Sequence, residues 1–334
     1  MRYSGNHVSR QRVGHIMQVY GLLMMGVVLV VVFAALNKDF LTFVNLETIL
    51  EQNAALAIVS VGVTFTIIAG MFDLSTGSVV ALASVVMALV VQNSQSMVMA
   101  LFVAATVALA CGLLNGFLLS YGGINSVIVT LAAMIWSRGI ALGVTKGDSV
   151  PFASPLVDFM NARSVLGLSP IVLVIGFSYV LGWFALGHTR LGRYAFALGR
   201  DVEATKQAGV NTDLYKLLIF MTSAFFVWLA TVVTATRMSA GVPNAVYGLE
   251  FDAIVAVIIG GSSMTGGEGS IIKTIVGVLF ISVLNNGLST MGMRDSAFYL
   301  YKGAIILVAL FFEVMSRQVL RSGGTHVAAV GAKG

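Results

Sequence analysis

Charged residues leave long gaps along this chain. Asp, Glu, Lys and Arg are absent from residues 13–37, 52–72, 164–189, 217–236 and 274–293. Each gap is long enough for a helix of about 20 apolar residues, the length that crosses a bilayer. A longer gap, 74–137, is divided by two polar or Gly-rich breaks, QNSQS at 92–96 and YGGIN at 121–125. The gap 253–267 starts apolar and ends Gly-rich, and 298–316 carries Lys302 and Glu313 near its ends, where long side chains can reach the interface. The pattern predicts about ten membrane segments: 16–36, 52–70, 75–91, 97–120, 124–145, 166–187, 214–236, 250–263, 270–291 and 298–316. The eighth is too short to cross about 30 Å at about 1.5 Å per residue, so it reads as a half-helix or re-entrant element that must be buried in protein. The expected fold is an all-α integral membrane protein. One transmembrane domain covers 16–316, between tails at 1–15 and 317–334.

An even number of segments puts both ends on one side. With both in the cytoplasm, twelve of the 19 basic residues are cytoplasmic, six lie opposite and Arg138 falls inside a span. Positive charge collects on the cytoplasmic side of membrane proteins, so this orientation is the expected one. The longest cytoplasmic loop is then 188–213, with a helical stretch and charges of both signs on which a partner could dock.

Composition narrows the class. The chain of 334 residues is 58% hydrophobic and 10% charged, with a mean hydropathy of +0.95. Soluble domains carry about 25% charged residues, so a soluble enzyme, a nucleic-acid-binding domain and a disordered chain are excluded. The net charge of +5 comes without a basic run, and the cytoplasmic bias accounts for it better than nucleic acid does. Cys111 is the one cysteine, so no internal disulfide and no cysteine metal motif exists.

Two halves of the chain echo each other weakly. IAGMFDLSTGSVV at 68–80 resembles IGGSSMTGGEGSII at 259–272, LLNG at 113–116 resembles LNNG at 284–287, and RGIAL at 138–142 resembles KGAII at 302–306. Transporters are often built from such repeats, with the pathway near interrupted segments. Asp73, followed by Ser75, is then either a pathway or gate residue or the cap of the helix that follows; Glu268 has the same two readings. Asn115, Asn285 and Asn286 lie inside apolar spans, where amides can meet solute hydroxyls or tie helices together.

No catalytic machinery is apparent. GEGSIIKT at 267–274 has Ile272 where a phosphate loop needs Gly before its Lys, and no zinc or nucleophile-elbow motif occurs. The four His residues, His7, His15, His188 and His326, fall in tails or a loop. The chain is not expected to be an enzyme or to hold a metal or cofactor.

Four stretches carry a resemblance: GMFDLSTGSVVAL, GLLNGFLLSYGGINSVIVTLAAM, TRLGRYAFALGRDVEATKQAGV and FDAIVAVIIGGSSMTGGEGSIIKTIVGVLFISVLNNGL. Together they resemble the permease subunits of ribose-type ATP-binding-cassette monosaccharide importers, across about residues 40–315. The resemblance implies a homodimer in the bacterial inner membrane. It also implies a cytoplasmic ATPase that binds ATP and Mg, and a periplasmic sugar-binding protein that delivers the solute. It maps an ATPase-contacting segment around Gly199, Glu203, Ala204 and Gly209. The chain departs from the family pattern at Met71 and Phe72, where Gly-Ile is common, and at Asn125-Ser126-Val127, where Pro-Pro-Phe is common. A stand-alone secondary transporter or channel is the alternative. It would need buried carboxylates or histidine relays, and Asp73, Arg138 and Glu268 offer little of that.

Overall fold

The computed structural model describes residues 24–162, 168–294 and 296–311. The expected tails 1–15 and 317–334, and parts of the first, sixth and last expected segments, lie outside the described residues. The described chain is all-α apart from one pair of two-residue strands. Its helices are α1 (Met24–Leu36), α2 (Phe43–Gln52), α3 (Ala54–Ile68), α4 (Thr76–Ser94), α5 (Met97–Ser120), α6 (Ser126–Thr145), α7 (Pro155–Asn161), α8 (Pro170–His188), α9 (Arg190–Arg200), α10 (Val202–Gln207), α11 (Thr212–Met238), α12 (Leu249–Ile259), α13 (Ile271–Thr290) and α14 (Ser296–Phe311). Strands β1 (Val150–Pro151) and β2 (Ala240–Gly241) pair antiparallel.

Six helices, α4, α5, α6, α8, α11 and α13, are long and apolar enough to cross a membrane. The pair α2 and α3 makes a seventh only if its 49° bend is one broken span, and α1 and α14 are shorter apolar helices. Residues 43–52 lie largely outside the expected segments, yet they are helical. The bend beyond them needs no proline: Asn53 turns its Nδ2 back onto the Ile49 carbonyl at 2.9 Å, a local bond that competes with the helical ladder. The eighth expected segment is α12, only 11 residues long.

Polar residues set the boundaries elsewhere. Ser96 Oγ accepts the Met99 N–H at 3.3 Å to start α5, after Gln95 ends α4 with φ 55°. Asn125 Oδ1 accepts the Val127 N–H at 2.9 Å to start α6. These caps satisfy N–H groups that have no partner within the helix. They explain why QNSQS and YGGIN break the long apolar gap.

The described residues fall into two compact units, one within 47–278 and the other within 24–46 and 279–311. In the first, every residue of α3 is buried. A helix apolar all round belongs in a protein interior. α11 packs along α3 and α5; a Cβ at Gly112 of α5 would collide with Ala224, and one at Gly116 would be tight against Leu217 and Phe220. This small-xxx-small spacing lets helix backbones approach closely. Thr64 of α3 and Thr274 of α13 share a buried hydroxyl contact of 2.9 Å. In contrast, α5 turns Val98 and Phe102 outward, 79% and 74% exposed, as a face toward acyl chains would. In the second unit, the rings of Phe33 and Phe40 lie 5.5 Å apart and Gly287 packs beneath Phe33.

Candidate functional site

Between α3 and α4 the chain is unwound from residue 69 to 75. Irregular backbone at membrane depth survives only when protein satisfies its polar groups, and here side chains of α5, α6 and α11 supply partners. Ser126 Oγ of α6 accepts the Phe72 N–H at 3.2 Å. Thr130 of α6 donates to the Phe72 carbonyl at 3.4 Å and to the Ser126 carbonyl at 2.8 Å.

Asp73 sits at the centre of this segment, buried. Its Oδ1 accepts the Ser75 N–H at 3.1 Å and the Ser75 hydroxyl at 2.6 Å. Its Oδ2 accepts the Ser223 hydroxyl of α11 at 3.0 Å. Asn115 of α5 donates from Nδ2 to Ser75 Oγ at 3.0 Å. The carboxylate thus marks the start of α4 and joins α4, α5 and α11 through one polar chain. Three of the residues expected from sequence, Asp73, Ser75 and Asn115, meet in this network. Ser223, which completes it, gave no sequence signal because a lone Ser in an apolar helix is commonplace.

The other two asparagines lie elsewhere. Asn286 is buried in the second unit and pairs with Asn45, each amide donating to the other at 3.1 and 3.2 Å. Asn45 also donates to the Phe40 carbonyl at 2.8 Å. Asn285 is half-buried beside Asn286.

The 188–213 region forms α9, α10 and the turn into α11. Thr189, Asp201 and Asn211 start these helices, with Asp201 Oδ1 on the Ala204 N–H at 2.9 Å and Asn211 Oδ1 on the Leu214 N–H at 3.0 Å. α9 buries Gly192, Ala195 and Leu198 on one side. Glu203, Ala204 and Gly209 are exposed, and Gly209 has φ +81° with open space around it. Gly199 has a different environment. A Cβ there would collide with the Ile68 carbonyl and with Gly267, and Gly267 donates its N–H to that same Ile68 carbonyl at 2.8 Å. A Cβ on Gly266 would lie 2.8 Å from the Gly199 Cα and from the Gly70 nitrogen. Three backbones therefore meet: the end of α3, the end of α9 and the loop between α12 and α13. Glu268, in that loop, is exposed, and its carbonyl accepts the Ser263 N–H at 3.0 Å.

Two further charged residues, Arg138 and Glu250, stand outside the expected site residues. Arg138 of α6 donates from Nη1 to the carbonyls of Pro243 at 2.7 Å and Ala245 at 3.1 Å. Glu250, at the start of α12, is buried. An acidic residue opening an apolar run too short to span was the available signal. No group of three or more His, Cys, Asp or Glu among the described residues is placed to hold a metal ion.

The family described as "Branched-chain amino acid transport system / permease component" matches residues 45–310. The chain belongs to this permease family. Among curated relatives, the permease is 33% identical over 290 residues to the Ribose import permease protein RbsC of Escherichia coli K12, covering 86% of this chain and 90% of that one. It is 32% identical over 300 residues to RbsC of Bacillus subtilis, covering 89% and 93%. It is 31% identical over 320 residues to the L-arabinose transport system permease protein AraH of Escherichia coli K12, covering 96% and 97%. No solved structure matches the permease. Its multi-pass placement in a bacterial inner membrane follows from these relatives and from its apolar helices.

Proposed function

We propose that this permease is the membrane subunit of an ATP-driven importer of monosaccharides or similar small polar solutes. It works as a homodimer with a cytoplasmic ATPase that binds ATP and Mg, and receives its solute from a periplasmic binding protein. The relatives named for ribose and L-arabinose support the substrate class. About ten membrane segments, arranged as two weakly similar halves with both ends cytoplasmic, remain the topology we infer. Asp73, Ser75, Asn115, Asn285 and Asn286 are its pathway candidates. Glu203, Ala204 and Gly209 offer an exposed surface to the ATPase, with Gly199 anchoring it from within.

One observation carries this reading most directly: the contact of Gly199 with Ile68 and Gly267. It ties α9 and α10 to the breaks beside α3 and α12, so a push on the exposed loop would reach interrupted helices. A stand-alone carrier has no need for such a linkage. Reconstitution tests the reading. The permease alone in liposomes is expected to show neither sugar flux nor ATP hydrolysis, and adding ATPase, binding protein and ATP should produce uptake. Gradient-driven flux by the permease alone would favour a secondary transporter.

A further inference from the structure

Glu250 opens α12 with 4% of its surface exposed, and no hydrogen bond reaches its Oε2. The carboxylate lies against the first turn of α4, where Gly77 makes room for it. A Cβ at Gly77 would collide with Oε2 and would come within 3.2 Å of the Val246 carbonyl and the Leu249 Cβ. The first turns of α4 and α12 therefore abut, and each carries N–H groups without helical partners. Thr76, adjacent to Gly77, is fully buried and its Oγ1 also lacks a partner. Buried polar atoms are nearly always paired, so two open ones beside abutting helix starts mark an incomplete polar centre.

The segment before α12 closes over this centre. Val246 adopts φ +49°, a region that β-branched side chains strongly disfavour. Arg138 holds the segment through the Pro243 and Ala245 carbonyls, using only Nη1 of its donors. Its guanidinium stands 5.7 Å over the ring of Tyr247, which is 75% exposed.

We propose that Glu250, Thr76, Arg138 and Tyr247 form a low-affinity site for a neutral polyhydroxylated solute in transit. The site rests on the importer reading and deepens it. Solute hydroxyls would donate to Glu250 Oε2 and Thr76 Oγ1, the remaining Arg138 N–H groups would donate to ring or hydroxyl oxygens, and the Tyr247 ring would face the C–H side of the sugar. Glu250 and Thr76 are buried in this structure, so solute reaches them only when residues 243–248 move and Arg138 releases their carbonyls. A few such contacts replace lost hydration without trapping a solute that must also leave.

The test is uptake by the reconstituted complex at saturating D-ribose, L-arabinose, D-xylose and D-galactose, with Glu250→Gln and Thr76→Val compared with wild type. Detergent-stable permease is measured for each protein. A change of at least threefold in the relative rates among the four sugars is expected in both variants. Misfolding would instead scale every rate by one factor, and so it is separable from a change in recognition. Equal scaling of all rates, or unchanged rates, overturns the site alone. A wild-type complex that carries none of the four with ATP overturns the sugar-importer reading, and the site falls with it.

Discussion

Asn45 and Asn286 face each other as reciprocal amides, each donating one hydrogen bond and accepting one, at 3.1 and 3.2 Å. Two amides paired this way tie their segments together, and a single substitution strands its partner. Stranding a buried amide costs about 1–3 kcal/mol. Asn286→Leu and Asn45→Leu should each lower thermal stability in detergent by that order, and the double variant should lose less than the sum of the two. Additive losses would show that the pair does not act as a unit.

Asp73 accepts three hydrogen bonds. Asp73→Leu leaves the Ser75 N–H and the hydroxyls of Ser75 and Ser223 without their acceptor. At about 1–3 kcal/mol for a stranded buried group, the loss should exceed that of Asp73→Asn, which keeps one carbonyl oxygen. Unfolding temperatures of the two variants provide the comparison, and equal temperatures would argue against the carboxylate as the organiser of this segment.

Glu203→Arg and Ala204→Trp change exposed positions, so both should leave the amount of folded permease unchanged. Uptake and solute-stimulated ATP hydrolysis in the assembled importer should fall at least tenfold. Gly209 is a poorer probe, because its φ of +81° strains any other residue regardless of contact. Normal uptake by both exposed variants would remove α10 from the ATPase surface.

Gly199→Ala places a methyl where the Ile68 carbonyl and Gly267 meet. Overpacking of this kind costs about 1–3 kcal/mol. ATPase binding should survive while sugar moved per ATP hydrolysed drops, since the exposed surface is intact and its internal anchor is displaced. An unchanged ratio would mean that the joint transmits nothing.

Orientation is open to labelling. In a Cys111→Ser background, Asn93→Cys should react with a membrane-impermeant thiol reagent in intact cells and Gln207→Cys should not. The reverse pattern would invert the topology.

Six of the ten expected segments, now α4, α5, α6, α8, α11 and α13, were legible because a charge in lipid is costly, so gaps in Asp, Glu, Lys and Arg trace apolar helices. The breaks at 92–96 and 121–125 were legible because Ser96 and Asn125 are cap residues. The bend at Asn53 was not, since its cause is one side-chain bond that the sequence shares with many unbent helices. Asp73 was visible as a charge in an apolar stretch, but its partner Ser223 lies 150 positions away. Glu250 carries no local signal beyond opening a short apolar run. Its burial arises from Gly77 and α4, a contact that no local pattern encodes.

The burial of all fifteen residues of α3 also constrains how this protein is made. α3 leaves the ribosome well before α11, the helix that packs along it and begins at Thr212. At about 5–20 residues per second, roughly seven to thirty seconds separate the two. During that interval α3, whose Gly62 ends up packed against Ser223 of α11, has no α11 beside it. α3 must wait in lipid or beside the insertion machinery until α11 arrives. A slowdown of synthesis between the two would lengthen the wait, so the yield of intact permease should depend on translation speed across residues 69–212.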